Sequence, residues 1–318
     1  MKKVIFLLLV TISTISNAQR NEAQNDYLLA ENYYREGAYE KATQIYKKLY
    51  DSSPFNTSYL GRLINCYQET AQFLKAETLL KNRIKADNSQ IYLYVYFGYN
   101  FEKQGNKEKA TENYNLAIEG LKKTPSYGGL IGRLFKDYNQ LDNAILAYQK
   151  AMDANKNRNY SFQIAQIYGE KGEFKQMFES YIDLVDKNEQ YFSLIQRYTS
   201  KYITDDSENE NNILFKKTLL KKSLSKPKDV WNILLSWLFT QQKNYTKALL
   251  QEKALYQRKQ ESLTSIFTLG KIAFENQAYD ASKECFAFIL EKSATNSQII
   301  NANLYLAKIA VATKDPKT

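Results

Sequence analysis

Residues 94–117 read YVYFGYNFEKQGNKEKATENYNLA, and this stretch contains the pattern that decides the fold. Aromatic residues surround Gly98 in its first half, and Ala110 and Tyr114 follow a second glycine, Gly105. Alanines recur with the same surroundings at positions 42, 76, 110 and 144, which is a spacing of 34 residues. This period is typical of a helix–turn–helix unit that buries its apolar face by stacking on copies of itself. The sequence therefore predicts an all-α array of antiparallel helix pairs.

The order of these residues resembles the tetratricopeptide repeat (TPR), in which an aromatic start, Leu-Gly and Tyr precede an Ala and a second aromatic residue. Five successive units show it, the fifth with Met177 where the alanine would fall. The resemblance implies a right-handed TPR solenoid of stacked antiparallel helix pairs. Small residues at Gly98, Gly132 and Ala165 indicate close helix crossings, and the glycines at 37, 105 and 172 indicate left-handed turns.

The spacing also predicts how the chain is divided. We assign a signal peptide to 1–18, TPR repeats 1–5 to 19–190, a degenerate repeat with an acidic loop to 191–226, and TPR-like repeats ending in an unpaired helix to 227–318. In the acidic loop, Ser207 and Glu210 have the spacing of a capping box for the following helix. The last helix keeps apolar residues where a terminal repeat is normally polar, so we expect this chain to be the front part of a longer protein.

The N-terminus has the features of a bacterial secretory signal. Lys2 and Lys3 precede the apolar run 4–10, and Ser16 and Ala18 are the small residues of a cleavage site before Gln19. The run is too short to span a bilayer, although an uncleaved anchor is the alternative. We therefore predict an exported protein that is soluble after signal cleavage and lies in the periplasm or at the outer membrane.

The composition argues against catalysis and against most cofactors. The chain has no histidine, which removes the usual catalytic base and most zinc sites, and it has no phosphate-binding glycine loop. The acidic loop lacks the glycine turn of a calcium site. The two cysteines, Cys66 and Cys285, are predicted to be buried free thiols. The net charge of +10 comes from scattered lysines without an aromatic–basic motif, so we predict no nucleic-acid binding. Because the residues for catalysis and for ligand binding are missing, we also predict no enzyme activity, no cofactor and no metal site.

The TPR resemblance implies a concave groove lined by the first helix of each pair. It places eight residues at or beside this groove as candidates for partner binding: Tyr27, Tyr34, Asn65, Tyr92, Tyr99, Arg133, Phe162 and Gln166. Gly61 and Gly129 stand where larger groove residues occur, and we expect them to leave the groove floor open. Tyrosine is favoured at interface hot spots. The alternative is that some of these tyrosines only pack between repeats.

Together these features predict an exported TPR scaffold that binds a protein or peptide in its groove, without a small-molecule substrate. Membership of an envelope assembly is compatible with export and repeats. The alternative function is the recognition arm of a longer enzyme or signalling protein whose active domain lies beyond residue 318.

Overall fold

The computed structural model describes residues 22–259, 262–293 and 295–313, and the regular structure in these ranges is helical. The predicted signal peptide at 1–18 lies outside the described residues. The helices are α1 (22–35), α2 (Tyr39–Ser52), α3 (Thr57–Glu69), α4 (Phe73–Ala86), α5 (Leu93–Lys103), α6 (Lys107–Gly120), α7 (Gly128–Asp137), α8 (Leu141–Ala154), α9 (Ser161–Glu170), α10 (Phe174–Lys187), α11 (Phe192–Thr199), α12 (Glu210–Ser225), α13 (Asp229–Gln241), α14 (Tyr245–Lys259), α15 (Thr264–Glu275), α16 (Tyr279–Lys292) and α17 (Asn296–Thr313). Within the described ranges, seven helix pairs are closed by short turns, α11 and α12 are joined by a longer connection as a sixth, irregular pair, and α17 follows the last pair. This confirms the all-α arrangement of helix pairs.

Seven of the pairs are closed by the same turn. Gly37, Gly105 and Gly172 have φ angles of 75°, 78° and 75°, as expected for left-handed turn positions. The amide after each of these positions bonds to the carbonyl five residues earlier, as from Ala38 N to Tyr33 O at 2.8 Å. Four other turns use non-glycine residues with φ between 55° and 60° at the equivalent positions: Ala71, Asn139, Lys243 and Gln277. The hydrogen bonds of the turn therefore fix the repeat register even where glycine is missing.

The close helix crossings occur where the small residues predicted them. A Cβ added to Gly98 would overlap the ring of Tyr114, and one added to Gly132 would overlap the ring of Tyr148. Ala165 is fully buried at the corresponding position of α9. Tyr114 and Tyr148 thus pack directly over backbone that only glycine leaves free.

The sixth pair, α11 and α12, has a longer connection at 200–209, but the predicted capping box is wrong. The N-cap of α12 is Asn209, whose side chain accepts hydrogen bonds from the amides of Asn211 and Asn212. The buried Asn212 amide in turn donates to Thr204 O at 2.8 Å. Because α12 begins at Glu210, Ser207 lies too far before the helix to cap it.

The chain divides into two compact units, residues 1–160 and 161–318. The division falls between the fourth and fifth helix pairs, inside the block assigned above to repeats 1–5. Tyr46 and Phe135 are among the largest fully buried side chains of the first unit, and Trp231 and Phe286 among those of the second. Each unit therefore has a core of its own.

Both cysteines are free and fully buried, as predicted. Burial raises the pKa of the Cys66 thiol and of the Cys285 thiol to about 12. Neither thiol is therefore ionised near neutral pH. Of the helices in the described ranges, none combines the length and the apolar character needed to cross a membrane.

Candidate partner-binding pocket

The first unit contains a pocket of about 280 Å³ formed by first helices, which we call the first-helix pocket. It is lined by Tyr27, Thr57, Ser58, Gly61, Arg62, Asn65, Tyr92, Tyr96, Leu130, Arg133, Leu134 and Asp137. All of these residues lie on α1, α3, α5 with its N-cap residue, or α7. Four of the eight predicted groove residues are among them: Tyr27, Asn65, Tyr92 and Arg133. Whether they bind a partner stays a prediction.

Arg62, which lines the pocket, forms an ion pair that joins the first and second helix pairs. Arg62 Nε lies 2.7 Å from Glu31 Oε1 and Arg62 Nη2 lies 2.9 Å from Glu31 Oε2. Tyr46 also donates a hydrogen bond to Glu31, and the Arg62 guanidinium lies 4.3 Å from the centre of the Tyr34 ring. Partial burial acts to raise the pKa of Glu31, but the hydrogen bonds from Tyr46 and Arg62 outweigh it and lower that pKa. Glu31 therefore stays charged at neutral pH, and both ions are already paired inside the protein.

The pocket lining also contains a second guanidinium, that of Arg133, which has no such partner. Arg133 on α7 is exposed, and among the described residues no hydrogen bond or ion pair to its side chain is found. Asp137, one turn later on the same helix, also lines the pocket. Removal from water raises the pKa of Asp137 in spite of the nearby charge of Arg133. The pocket therefore offers a cation that is available to a bound group.

Tyr96 occupies the space over Gly61, so the expectation that this glycine leaves the groove floor open is wrong, whereas for Gly129 the expectation stays a prediction. A Cβ added to Gly61 would overlap the hydroxyl of Tyr96, which is only 6% exposed. A Cβ added to Gly129 would lie 3.4 Å from the ring of Tyr160. Gly61 therefore gives space to the Tyr96 side chain, whereas a methyl group at Gly129 would make an ordinary contact with Tyr160.

Tyr92 presents little surface to the pocket, because the residue is only 3% exposed. Its hydroxyl lies 3.1 Å from Gln90 Oε1, and its ring lies 5.4 Å from that of Tyr127, centre to centre. Burial raises the pKa of Tyr92 to about 12. A partner can touch only an edge of this residue.

Three predicted groove residues take part in a bracing contact within the first unit. Tyr99 does not line the pocket, because its ring stacks on that of Tyr138 at 3.8 Å with an angle of 5° between the planes. The Tyr138 hydroxyl donates to Asn65 Oδ1 at 2.5 Å, and Asn65 Nδ2 lies 3.5 Å from the Tyr34 hydroxyl. Repeats normally contact only their neighbours, yet this bond joins the second pair to the fourth. Tyr34, Asn65 and Tyr99 therefore act, at least in part, as internal packing residues.

The sequence reasoning missed Tyr138, although a signal for it was present. At the equivalent position, one residue before the left-handed turn, the other units have polar or charged residues: Glu36, Thr70, Gln104, Lys171, Gln242 and Asn276. An aromatic residue at this position in one unit alone indicates a contact that the other units lack.

Phe162 and Gln166 belong to the second unit and do not line the first-helix pocket. The Phe162 ring lies 5.9 Å from the ring of Tyr181 and 4.9 Å from that of Tyr198, on the following helix pair. Phe162 is partly buried by these rings, while Gln166 is half-exposed. The contacts of Phe162 agree with the alternative that some aromatic groove candidates pack between repeats.

The chemistry of the first-helix pocket suits binding. It offers the Arg133 guanidinium, the hydroxyls of Thr57 and Ser58, and apolar area from Leu130 and Leu134. Within the described ranges, no group of three or more His, Cys, Asp or Glu residues could hold a metal ion.

Comparisons with known proteins add little to this geometry. No protein family matches the sequence, and no curated protein matches it either. The C-terminal part of a TPR repeat-containing protein from Cytophaga hutchinsonii is 13% identical and covers 86% of this chain and 98% of its own, with a TM-score of 0.31. A thermophilic TPR protein from Thermus thermophilus is 17% identical and covers 56% of this chain and 97% of its own, with a TM-score of 0.33.

Similarities at this level do not support an argument about the fold, which depends instead on the repeat geometry of the chain itself. That geometry consists of paired helices, the same left-handed turn in seven pairs, and second-helix aromatic rings packed over first-helix glycines. On this basis the fold is an all-α array of TPR-type helix pairs.

Proposed function

We propose that the chain is an exported, non-enzymatic scaffold whose first-helix pocket binds a segment of a partner protein. Arrays of helical repeats typically provide extended surfaces for protein–protein contact. The observation that carries the proposal is the pocket itself, since every lining residue comes from a first helix and the exposed Arg133 lies on its wall.

The size of the pocket suits the side chains of a peptide segment. Its volume of about 280 Å³ is near the lower limit of the roughly 300–1,000 Å³ of small-molecule sites. It accommodates one or two side chains, which would add contact area to hydrogen bonds with Arg133 and Ser58. Aromatic and arginine residues at the centre of an interface commonly supply most of its binding energy.

Export is proposed from the N-terminal sequence alone. Cleavage after Ala18 would leave Gln19 as the first residue, and N-terminal sequencing of the protein from its native cells tests this. A membrane-bound form that keeps Met1 would support the uncleaved anchor instead.

Site-specific photo-crosslinking tests the pocket. A photoreactive amino acid replaces Ser58, which is exposed in the pocket, or Lys123, which is exposed elsewhere in the first unit. We expect a crosslinked partner from position 58 but not from position 123, and we expect Arg133→Ala to reduce that product several-fold. The same products from both positions, or a product unaffected by Arg133→Ala, would show that the pocket is not the binding site.

A further inference from the structure

Helix α12 in the second unit has apolar side chains on two opposite sides. Phe215 and Leu219 are fully buried, whereas Ile213, Leu220 and Leu224 are 39%, 45% and 85% exposed. On a helix with 3.6 residues per turn, the three exposed side chains lie within an arc of about 40°. The buried side is explained by the core of the unit, and the exposed side has no partner among the described residues.

Lysines lie on both sides of this exposed stripe. Lys216 is on one side, and Lys217 and Lys221 are on the other, as the same helical geometry shows. Among the described residues, no ion pair involves these three lysines. The neighbouring Lys222 differs, because it lies 2.8 Å from Asp183 and 3.0 Å from Asp186. We call the six residues 213, 216, 217, 220, 221 and 224 the outer face of α12.

Acidic groups lie near both halves of this helix. Glu208 and Glu210 are close to its N-terminal end, and Glu179 and Asp183 of α10 line the same surface groove as Lys221. Leu224 is 14 residues after Glu210, which corresponds to about 21 Å along a helix. Leu224 is therefore far from Glu208 and Glu210, and two of the carboxylates nearer to it, Asp183 and Asp186, are paired with Lys222.

We propose that the outer face of α12 binds an anionic membrane surface, with the helix axis in the plane of the interface. Exposed apolar side chains flanked by lysines are the features of a helix that lies in the headgroup region. Each lysine near an anionic surface adds attraction, and the leucines add burial at the acyl boundary. Leu224, at 85% exposure, protrudes from the surface, which suits a flat apolar boundary better than a peptide.

This surface lies on a different unit from the first-helix pocket, and the proposal does not depend on a partner bound there. An acidic protein would be the other occupant of such a face, so the test separates the two.

Vesicle binding by the purified protein tests the proposal. Both the full chain and the chain starting at Gln19 are incubated with vesicles of phosphatidylcholine, either alone or mixed with phosphatidylglycerol. The shorter form removes the apolar run 4–10, which would have its own affinity for lipid. We expect the chain starting at Gln19 to bind the anionic vesicles only, and to bind them more weakly at high salt.

The decisive variant is Lys221→Glu with Leu224→Ser, which changes exposed residues and spares the core. We expect its partition coefficient on anionic vesicles to fall by about tenfold or more. The matched control is Lys247→Glu with Leu250→Ser on α14, which has the same spacing and a leucine that is 58% exposed. The control should bind like the parent.

A fluorescence measurement on α12 tests whether this helix itself contacts the lipid. A polarity-sensitive fluorophore on Ser225→Cys should shift to shorter wavelength with anionic vesicles, while the buried Cys66 and Cys285 stay unlabelled. Equal binding to neutral vesicles, equal loss in both double variants, or an unchanged fluorophore signal would overturn the proposal. Binding to immobilised polyglutamate without binding to vesicles would assign the face to an acidic protein.

Discussion

Replacing Gly98 with alanine should destabilise the first unit strongly for so small a change. The new Cβ would overlap two carbons of the Tyr114 ring and lie 3.0 Å from the carbonyl oxygen of Ala110. Carbon atoms pack at about 3.5–4.0 Å, so the ring would have to move by about 1 Å. Tyr114 is 5% exposed and packs against the Phe135 ring at 5.2 Å, which leaves it little freedom to move.

The magnitude follows from three opposing effects. Overpacking of a core costs about 1–3 kcal/mol. Moving the ring also weakens the hydrogen bond from the Tyr114 hydroxyl to Glu102, which is 2.6 Å long, and bonds to charged groups contribute about 1.5–3 kcal/mol. Alanine is better than glycine in a helix by about 1 kcal/mol, which offsets part of the loss. We expect a net loss of about 2–4 kcal/mol in the free energy of unfolding.

Denaturant unfolding followed by far-UV circular dichroism measures this loss. The matched control is Gly129→Ala, because its Cβ would lie 3.4 Å from Tyr160, an ordinary contact distance. The control should be as stable as the parent or slightly more stable. If Gly98→Ala unfolded at the same denaturant concentration as the parent, Tyr114 would not pack over Gly98 and the helix register of the third pair would be wrong.

Three further predictions concern hydrogen bonds, protonation and thiol access. Tyr138→Phe keeps the ring but removes its hydrogen bond to Asn65, so the free energy of unfolding should fall by about 1 kcal/mol; an unchanged value would mean that the bond does not brace the unit. The folded-state pKa of Glu31 is below the ordinary glutamate value of about 4.5, so its contribution to stability is present above that pH and lost as the pH falls through the folded pKa. Acid titration of stability should therefore be shallower for Glu31→Gln than for the parent, and identical curves would contradict this. Cys66 and Cys285 should not react with a thiol reagent at neutral pH until the protein unfolds, because both are fully buried and have pKa values of about 12. Mass spectrometry measures the labelling, and labelled cysteines in the native protein would contradict the burial.

The sequence by itself determined the helix pairs, their turns and their closest contacts. These features depend on residues that are near one another along the chain, such as Gly98 and Tyr114, or the turn at Gly105. Each is repeated, so five weak patterns in register become one strong prediction. The turns at Ala71 and Asn139 show that the register holds even where the expected glycine is absent.

Only the tertiary structure decided which predicted groove residues face the pocket. The sequence places Tyr99 and Arg133 on equivalent positions of successive first helices, yet one stacks on Tyr138 and the other is exposed at the pocket wall. Tyr99 has the Tyr138 ring to stack on, and Tyr138 in turn is bonded to Asn65, 73 residues away along the chain. Whether such residues meet depends on the rotation of each helix pair against the next, and that rotation is set by the packing of many side chains at once. The 34-residue repeat in the sequence determines the order of the helix pairs. The rotation of each pair against the next, and with it which residues face the pocket, is determined only by packing in the folded structure.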